Sequence, residues 1–542
     1  MNAKLRIWIT GVVIALTAVT APFAYAQISA EQTIALGRQL IDSEDYALAV
    51  QYLGKAIQAK PYLADPYYLR GLAKMLLGDF SGSVTDCTSA IEENPYMRDT
   101  YRVRGISRMQ LGQDSAACAD FNQGLLLMPN DRLFMYYSAL AYDRLGQPGR
   151  SSIHYERLHR LYPHFIPAYT AHAQSLLAQH DTVAALSLLN NMPGAGGNSI
   201  EPTLMRTRIA ITQGDWRNAL RNIDIALRLM PHSDALYVNR GVIRHHMGDR
   251  AGAVADFRAA LELNASNKQA IANLTGKQLD MSPMPIVSSP FSMSIEPIQT
   301  DEAQPCGLFA LSFTHPYDDL HPLAYPYREL PLLNATGRYP SPIYLTGSAS
   351  DTPDAEQAVA LFSYAEEPLA QPSAERLMGR AVAYAMLKNY ESALTDLNQV
   401  ITRRPGIALA YVERAYVRAG MAEVFRQRAT HGERDERLTA EAQAGQAITM
   451  AIEDIDKALA IDPDMIYGIY DKAVLTALAG DTESAMQLYD RVLSINPRFA
   501  QAYLNRGLLH LRHGDTQKAK QDWSRAGELG LTRAYTLIRN HK

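Results

Sequence analysis

Small residues return every 34 positions through the first half of this sequence: Gly37, Gly71, Gly105, Ala139, Ala173, Thr207, Gly241 and Thr275. No other feature limits the fold as tightly, because a fixed period of that length means one supersecondary unit repeated and stacked on itself. The unit is clearest over residues 234–264. Tyr237, Val238 and Val242 keep helical phase up to the breaker Gly248-Asp249, and Val254, Phe257 and Leu261 resume it beyond. This predicts a helical hairpin. Gly241 in the first helix and Ala253 and Ala260 in the second let the two backbones approach to packing distance.

A second column confirms the frame. Ala49, Ser83, Ala117, Ser151, Ala185, Ala219, Ala253, Ala358, Ala393, Ala451, Ala485 and Ala519 give every one of twelve hairpins Ala or Ser at the tightest contact. A small residue, a Gly-Asp turn, Ala, an aromatic, Ala and then Pro resembles the tetratricopeptide repeat in period and chemistry. The resemblance covers most of the chain. It implies an all-α fold, a right-handed α-solenoid of helical hairpins whose first helices line a concave face, and it implies a protein or peptide as partner.

The chain's formal net charge is −4, and leaving out Lys4 and Arg6 takes it to −6, which speaks against a nucleic-acid partner. Those two cations precede an apolar run, Ile7 to Val19, and then Ala24-Tyr25-Ala26. That order is a secretory signal, with the mature chain expected to start at Gln27 and no membrane span to remain after cleavage. Periplasm is the expected compartment, secretion or surface association the alternatives. Cys87, Cys118 and Cys306 are too few for a disulfide scaffold, and free buried thiols are expected at Cys87 and Cys118.

The frame predicts an N-terminal array over residues 27–281, seven hairpins and one further helix, and a C-terminal array over 354–542 ending in a capping helix at 531–540. Asn190 to Gly197 replaces the end of the fifth hairpin's second helix, predicting a shortened helix and a loop. Residues 282–353 hold twelve prolines, so they are no part of the regular stack. They read either as a linker between two solenoids or as an insertion splitting one hairpin, with short strands at 307–314 and 343–346. A second insertion, 420–444, delays the next second helix by 24 residues and is expected to lengthen both helices of its hairpin into a solvated pair. A docking knob is its functional alternative.

The most regular polar feature pairs an Arg just before the first-helix small residue with an Asp sixteen residues later: Arg70 with Asp86, Arg104 with Asp120, Arg240 with Asp256, Arg380 with Asp396, Arg506 with Asp522. Arg414 and Asp454 stand 40 apart, which is sixteen plus the 24 inserted residues, so they pair only if the insertion loops out. Repetition of this kind points to a structural ladder of ion pairs that sets helix register.

Catalytic motifs are missing. The sequence has no phosphate-binding Gly-rich loop, H-E-x-x-H helix, C-x-x-C pair or G-x-S-x-G elbow, so no enzymatic activity, cofactor or metal is expected. One cluster, His315, Asp318, Asp319 and His321, offers metal-ligand atoms at short spacing and keeps a metal-binding or enzymatic module in 282–353 as an alternative.

The expected function is therefore a non-catalytic scaffold of the cell envelope. Its groove should carry Tyr68, Leu72 and Met75, then Arg102, Ile106 and Met109, then Tyr136, with Leu204 and Arg208 further along. Aromatic, Met and Arg side chains of that mix suit an extended peptide or a partner helix. The resemblance also suggests a carboxylate clamp, but that needs Lys and Asn where this chain has Tyr68, Leu72 and Leu69. A structural subunit or assembly factor of an envelope or secretion complex is the alternative role.

Overall fold

The computed structural model describes residues 29–193, 199–274, 279, 281–283, 374–431 and 434–541, all helix and turn. The signal segment expected at 1–26, residues 194–198 of the expected loop, the body of the 282–353 stretch with its expected strands, His315 cluster and Cys306, and the helix expected after 353 lie outside the described residues. The chain divides into two compact units, Met1–Pro297 and Ile298–Lys542.

Among its described residues the first unit holds seven hairpins and one further helix. These are α1 Ala30–Asp42 with α2 Tyr46–Ala59, α3 Ala64–Leu76 with α4 Phe80–Glu93, α5 Arg98–Gln110 with α6 Asp114–Leu127, and α7 Arg132–Arg144 with α8 Pro148–Leu161. There follow α9 Ile166–Ala178 with α10 Thr182–Asn190, α11 Ile200–Thr212 with α12 Trp216–Leu229, α13 Asp234–His246 with α14 Arg250–Leu263, and the short α15 Lys268–Leu274. The second unit has α16 Ala374–Met386 with α17 Tyr390–Arg403, α18 Ala408–His431 with α19 Arg434–Ile461, α20 Ile466–Leu478 with α21 Thr482–Ile495, α22 Ala500–Arg512 with α23 Thr516–Glu528, and α24 Arg533–Asn540. At nine residues α10 is cut short, where its counterparts α12 and α14 have fourteen.

Two local rules make each hairpin. The turn needs a left-handed backbone residue, supplied by Gly248 at φ +86° and in α9–α10 by His180 at +64°. The next residue caps the second helix. Asp249 accepts from the Gly252 amide at 2.8 Å and Asp481 from Ser484 at 3.0 Å, each satisfying an amide that has no partner within its helix.

Between the helices a single side chain per hairpin fills the gap that the small residue leaves. It stands four positions after the Ala or Ser column: Leu53, Cys87, Phe121, Tyr155, Leu189, Ile223, Phe257, Leu397, Ile455, Tyr489 and Trp523, all at 2% exposure or less. Glycine opposite is a steric requirement where that plug is large. A Cβ on Gly105 would stand 2.4 Å from the Phe121 ring, and one on Gly507 would stand 2.6 Å from Trp523. Cys87 and Cys118 are both buried free thiols, and burial raises the Cys87 thiol to about 12.

Residues inserted at 420–444 lengthen α18 to 24 residues and α19 to 28. Their added turns pack on each other through Ala422 and Ala444, which share one core with Ala451 and Ile455. No helix among the described residues is long and apolar enough to cross a membrane.

Candidate binding face and the arginine–aspartate ladder

All six Arg–Asp pairs meet. Arg70–Asp86, Arg104–Asp120, Arg240–Asp256, Arg380–Asp396, Arg414–Asp454 and Arg506–Asp522 have nitrogen–oxygen distances of 2.6 to 2.7 Å. Most are forked. Arg414 donates from Nε to Oδ2 and from Nη2 to Oδ1 of Asp454, the geometry in which guanidinium and carboxylate bond most strongly. The bond to Asp522 holds the Arg506 guanidinium above its ordinary value, as that to Asp396 does for Arg380.

The pair is only part of a larger unit. Four residues beyond the Arg, one turn along the first helix, a second cation reaches the same carboxylate: Lys74 to Asp86 at 2.9 Å, Arg108 to Asp120 at 2.7 Å, Arg244 to Asp256 at 2.9 Å and Arg418 to Asp454 at 2.6 Å. In five of the six pairs a Tyr three residues before the Arg lies against the guanidinium, as with Tyr237 and Arg240 at 5.3 Å and Tyr411 and Arg414 at 5.6 Å, whereas Arg380 meets Tyr384 instead. The guanidinium also reaches sixteen residues back into the preceding hairpin. Arg104 donates to Thr88 at 3.1 Å, Arg240 to Asp224 at 3.0 Å, Arg414 to Asn398 at 2.7 Å and Arg506 to Asp490 at 2.6 Å. Each of these four ladder Arg residues thus ties its own hairpin together and locks it to its predecessor.

Sequence reading found the sixteen-residue spacing and missed the rest. The signal was available as Tyr-x-x-Arg followed four residues later by Lys or Arg, as in Tyr67, Arg70 and Lys74.

The expected groove divides in two. Met75, Ile106 and Met109 are less than a tenth exposed and belong to one core with Cys87, Cys118 and Phe121. Tyr136 is buried against Tyr155 and Phe165, and Leu204 against Ile223 and Leu236. These five contact neighbouring helices and do not line an open surface. The reason is that a first helix packs on its own second helix and on the hairpins to either side, which leaves a narrower free stripe than one-helix periodicity suggests.

Tyr68, Leu72 and Arg102 are half-buried, and Arg208 is exposed. Tyr68 and Arg102 occupy the same repeat position one hairpin apart. Burial raises the Tyr68 phenol, and among the charges acting on it are Asp99 and Arg102 of α5 and Arg38 of α1. Arg102 pairs with Asp99 at 2.7 Å and lies 5.9 Å from the Phe134 ring.

Residues 207–274, 377–406 and 488–521 each match a family model described as tetratricopeptide repeat. The chain is a tetratricopeptide repeat protein. Its matched stretches take in α13 with α14, α16 with α17 and α22, each with the ladder Arg in place. A comparison with curated proteins returned no match.

Among solved structures, a tetratricopeptide repeat protein from Parabacteroides merdae is 20% identical, covering 46% of this chain and 97% of its own, at a TM-score of 0.34. Pseudomonas aeruginosa pilF is 17% identical over 38% of this chain and 93% of its own, at 0.32. YrrB, described as having an unusual peptide-binding site, is 14% identical over 42% and 99%, at 0.25. Repeats of this family serve as scaffolds for protein–protein contact and are in general non-catalytic. That coarse role applies to this tetratricopeptide repeat chain.

Proposed function

We propose that the N-terminal array is an exported scaffold that holds a peptide or partner helix along its first-helix face in the cell envelope. The observation that carries this reading is the grouping of Tyr68 with Arg38, Asp99 and Arg102, side chains from three consecutive first helices, beside the half-buried Leu72. Such a stripe offers an apolar floor with polar groups at fixed spacing, already ordered by the ladder behind it. A partner therefore loses little to reorganisation of the scaffold.

Photo-cross-linking separates this face from the rest of the array. A photoreactive residue at Leu72 or Arg102 should cross-link the native partner, and one at the exposed second-helix positions Leu126 or Ile153 should not. Equal yields from both sets would place the interface elsewhere. Met109 is buried, so altering it would disturb packing and report nothing about the face.

Export rests on the Lys4, Arg6, apolar run and Ala24-Tyr25-Ala26 order. Mass spectrometry of the purified native protein should give an N-terminus at Gln27. A chain that retains Met1 and fractionates with the cytosol would overturn it.

A further inference from the structure

The ladder is interrupted in the middle of the first unit, and histidines stand in the gap. At the ladder positions of α7–α8 the chain has Ser138 and His154, and at those of α9–α10 it has His172 and Leu188, where the preceding hairpin α5–α6 has Arg104 and Asp120 and the following one, α11–α12, keeps Arg206 but has Asn222. His159, one turn beyond Tyr155 on α8, completes the group. The rings form one stack across the α8–α9 interface. His159 lies 4.0 Å from Tyr169 and 5.3 Å from His172 between ring centres, and His172 lies 4.9 Å from Tyr155. His154 stacks at 5.7 Å on Tyr142 of α7.

Each imidazole has a buried nitrogen with no hydrogen-bond partner: Nδ1 of His154, Nε2 of His159 and Nδ1 of His172. A neutral imidazole tolerates this by leaving its lone pair there. An imidazolium does not, because both of its nitrogens then carry protons that need acceptors. Protonating His159 and His172 together would also set two cations face to face.

We propose that the α8–α9 interface is a proton-sensitive joint, held closed by stacked neutral imidazoles near pH 7 and loosened when they take up protons in mildly acidic conditions. The charged and titratable groups around it do not supply the missing acceptors. On α7, Asp143 is a carboxylate that acts on His172, and its oxygens already accept from Ser151, from Tyr155 at 2.8 Å and from Ser175 at 2.6 Å. Glu156 on α8 acts on His172 in the same sense as Asp143, both favouring its charged form, while Arg157 disfavours charge on His154. Arg150 of α8 stacks on Tyr142, and on α11 Glu201 faces Thr170 while Arg206 is bonded to Leu189 and Thr203.

Burial outweighs the carboxylates and lowers all three histidines, His159 to about 4, with the charge of His172 adding to burial there. The unfolded chain, titrating near 6.5, therefore binds more protons than the folded one between about pH 6.5 and 4. Stability of the joint is complete above that window and falls as pH drops through it.

Hydrogen exchange of the full chain at pH 7 and pH 5, corrected for the intrinsic effect of pH on exchange, tests this. Peptides from 148–178 should lose protection about twentyfold from His159 alone. Peptides from 64–127, where the ladder is intact, should change by less than about threefold. His159→Phe keeps a ring in the stack and removes the titrating nitrogen, so it should abolish most of the response. Unchanged protection of 148–178, or a loss spread equally over 64–127, would overturn the proposal, as would a full response in His159→Phe. If that variant does not fold, the wild-type comparison decides by itself.

Discussion

Arg414 Nη2 and Asp454 Oδ1 lie 2.6 Å apart although 40 residues separate them, the same distance that Arg70 and Asp86 keep across sixteen. The inserted residues leave the hairpin's base unchanged, because α18 and α19 simply continue outward as a pair. Asp454 is fully buried and holds both Arg414 and Arg418, so Asp454→Asn would leave two cations short of their counter-charge. The expected cost is about 3–5 kcal/mol. Asp490, whose side chain is 63% exposed where it meets Arg506, should cost under about 1 kcal/mol when changed to Asn. Urea unfolding of the two variants measures both, and equal losses would contradict the distinction between buried and rim partners.

Gly105 tests the plug in the same way. A Cβ there meets the Phe121 ring at 2.4 Å, in a core with no slack, and Gly105→Ala should cost about 1–3 kcal/mol. Adding Phe121→Leu should recover part of that loss, which makes the pair non-additive. A thermal-melt double-mutant cycle reads the coupling, and additive losses would show that the two side chains do not compete for one space.

How far the sequence could be read depended on how many partners a residue had. The Arg–Asp spacing was legible because hairpin geometry fixes it at sixteen, and Asp454 could be matched to Arg414 by subtracting the insertion. The second cations Lys74, Arg108, Arg244 and Arg418 stood in plain view but on a stripe that one-helix periodicity assigns to solvent. Met75, Ile106 and Met109 failed for the converse reason. They were read as groove residues from the helix they sit on, whereas their burial is set by the hairpins on either side. The histidine stack was invisible because His159 and His172 come from different hairpins, and only ring geometry shows that they meet.

The thiols give a prediction that depends on burial alone. Cys87 is raised to about 12 and Cys118 to about 11, in each case chiefly by desolvation, so almost no thiolate exists at pH 8. In the native protein a thiol-specific disulfide reagent at pH 8 should leave both unmodified for as long as the fold persists, and in urea all three cysteines should react. Rapid modification of Cys87 in the native protein would mean that the α3–α4 hairpin opens easily. Peptide mapping of the labelled sites distinguishes Cys87 and Cys118 from Cys306.

In the last complete hairpin the second cation of the ladder unit falls short of its carboxylate. At the second-cation position α22 has His510, whose Nε2 stands 3.8 Å from Asp522 Oδ2, beyond hydrogen-bond distance, where Arg108 and Arg418 reach their carboxylates at 2.7 and 2.6 Å. His510→Arg would place a permanent guanidinium one turn from Arg506, with the geometry already realised three times in this chain, at Arg108, Arg244 and Arg418. It should stabilise the C-terminal hairpin by about 1 kcal/mol, the ordinary worth of a charge-assisted hydrogen bond offset by the ordering of a long side chain. The guanidinium stays charged at any pH at which the gain would be measured. Hydrogen exchange over residues 500–528 provides the measurement. If protection there is unchanged or falls, the second cation is an accident of packing in the other hairpins and not a working part of the ladder.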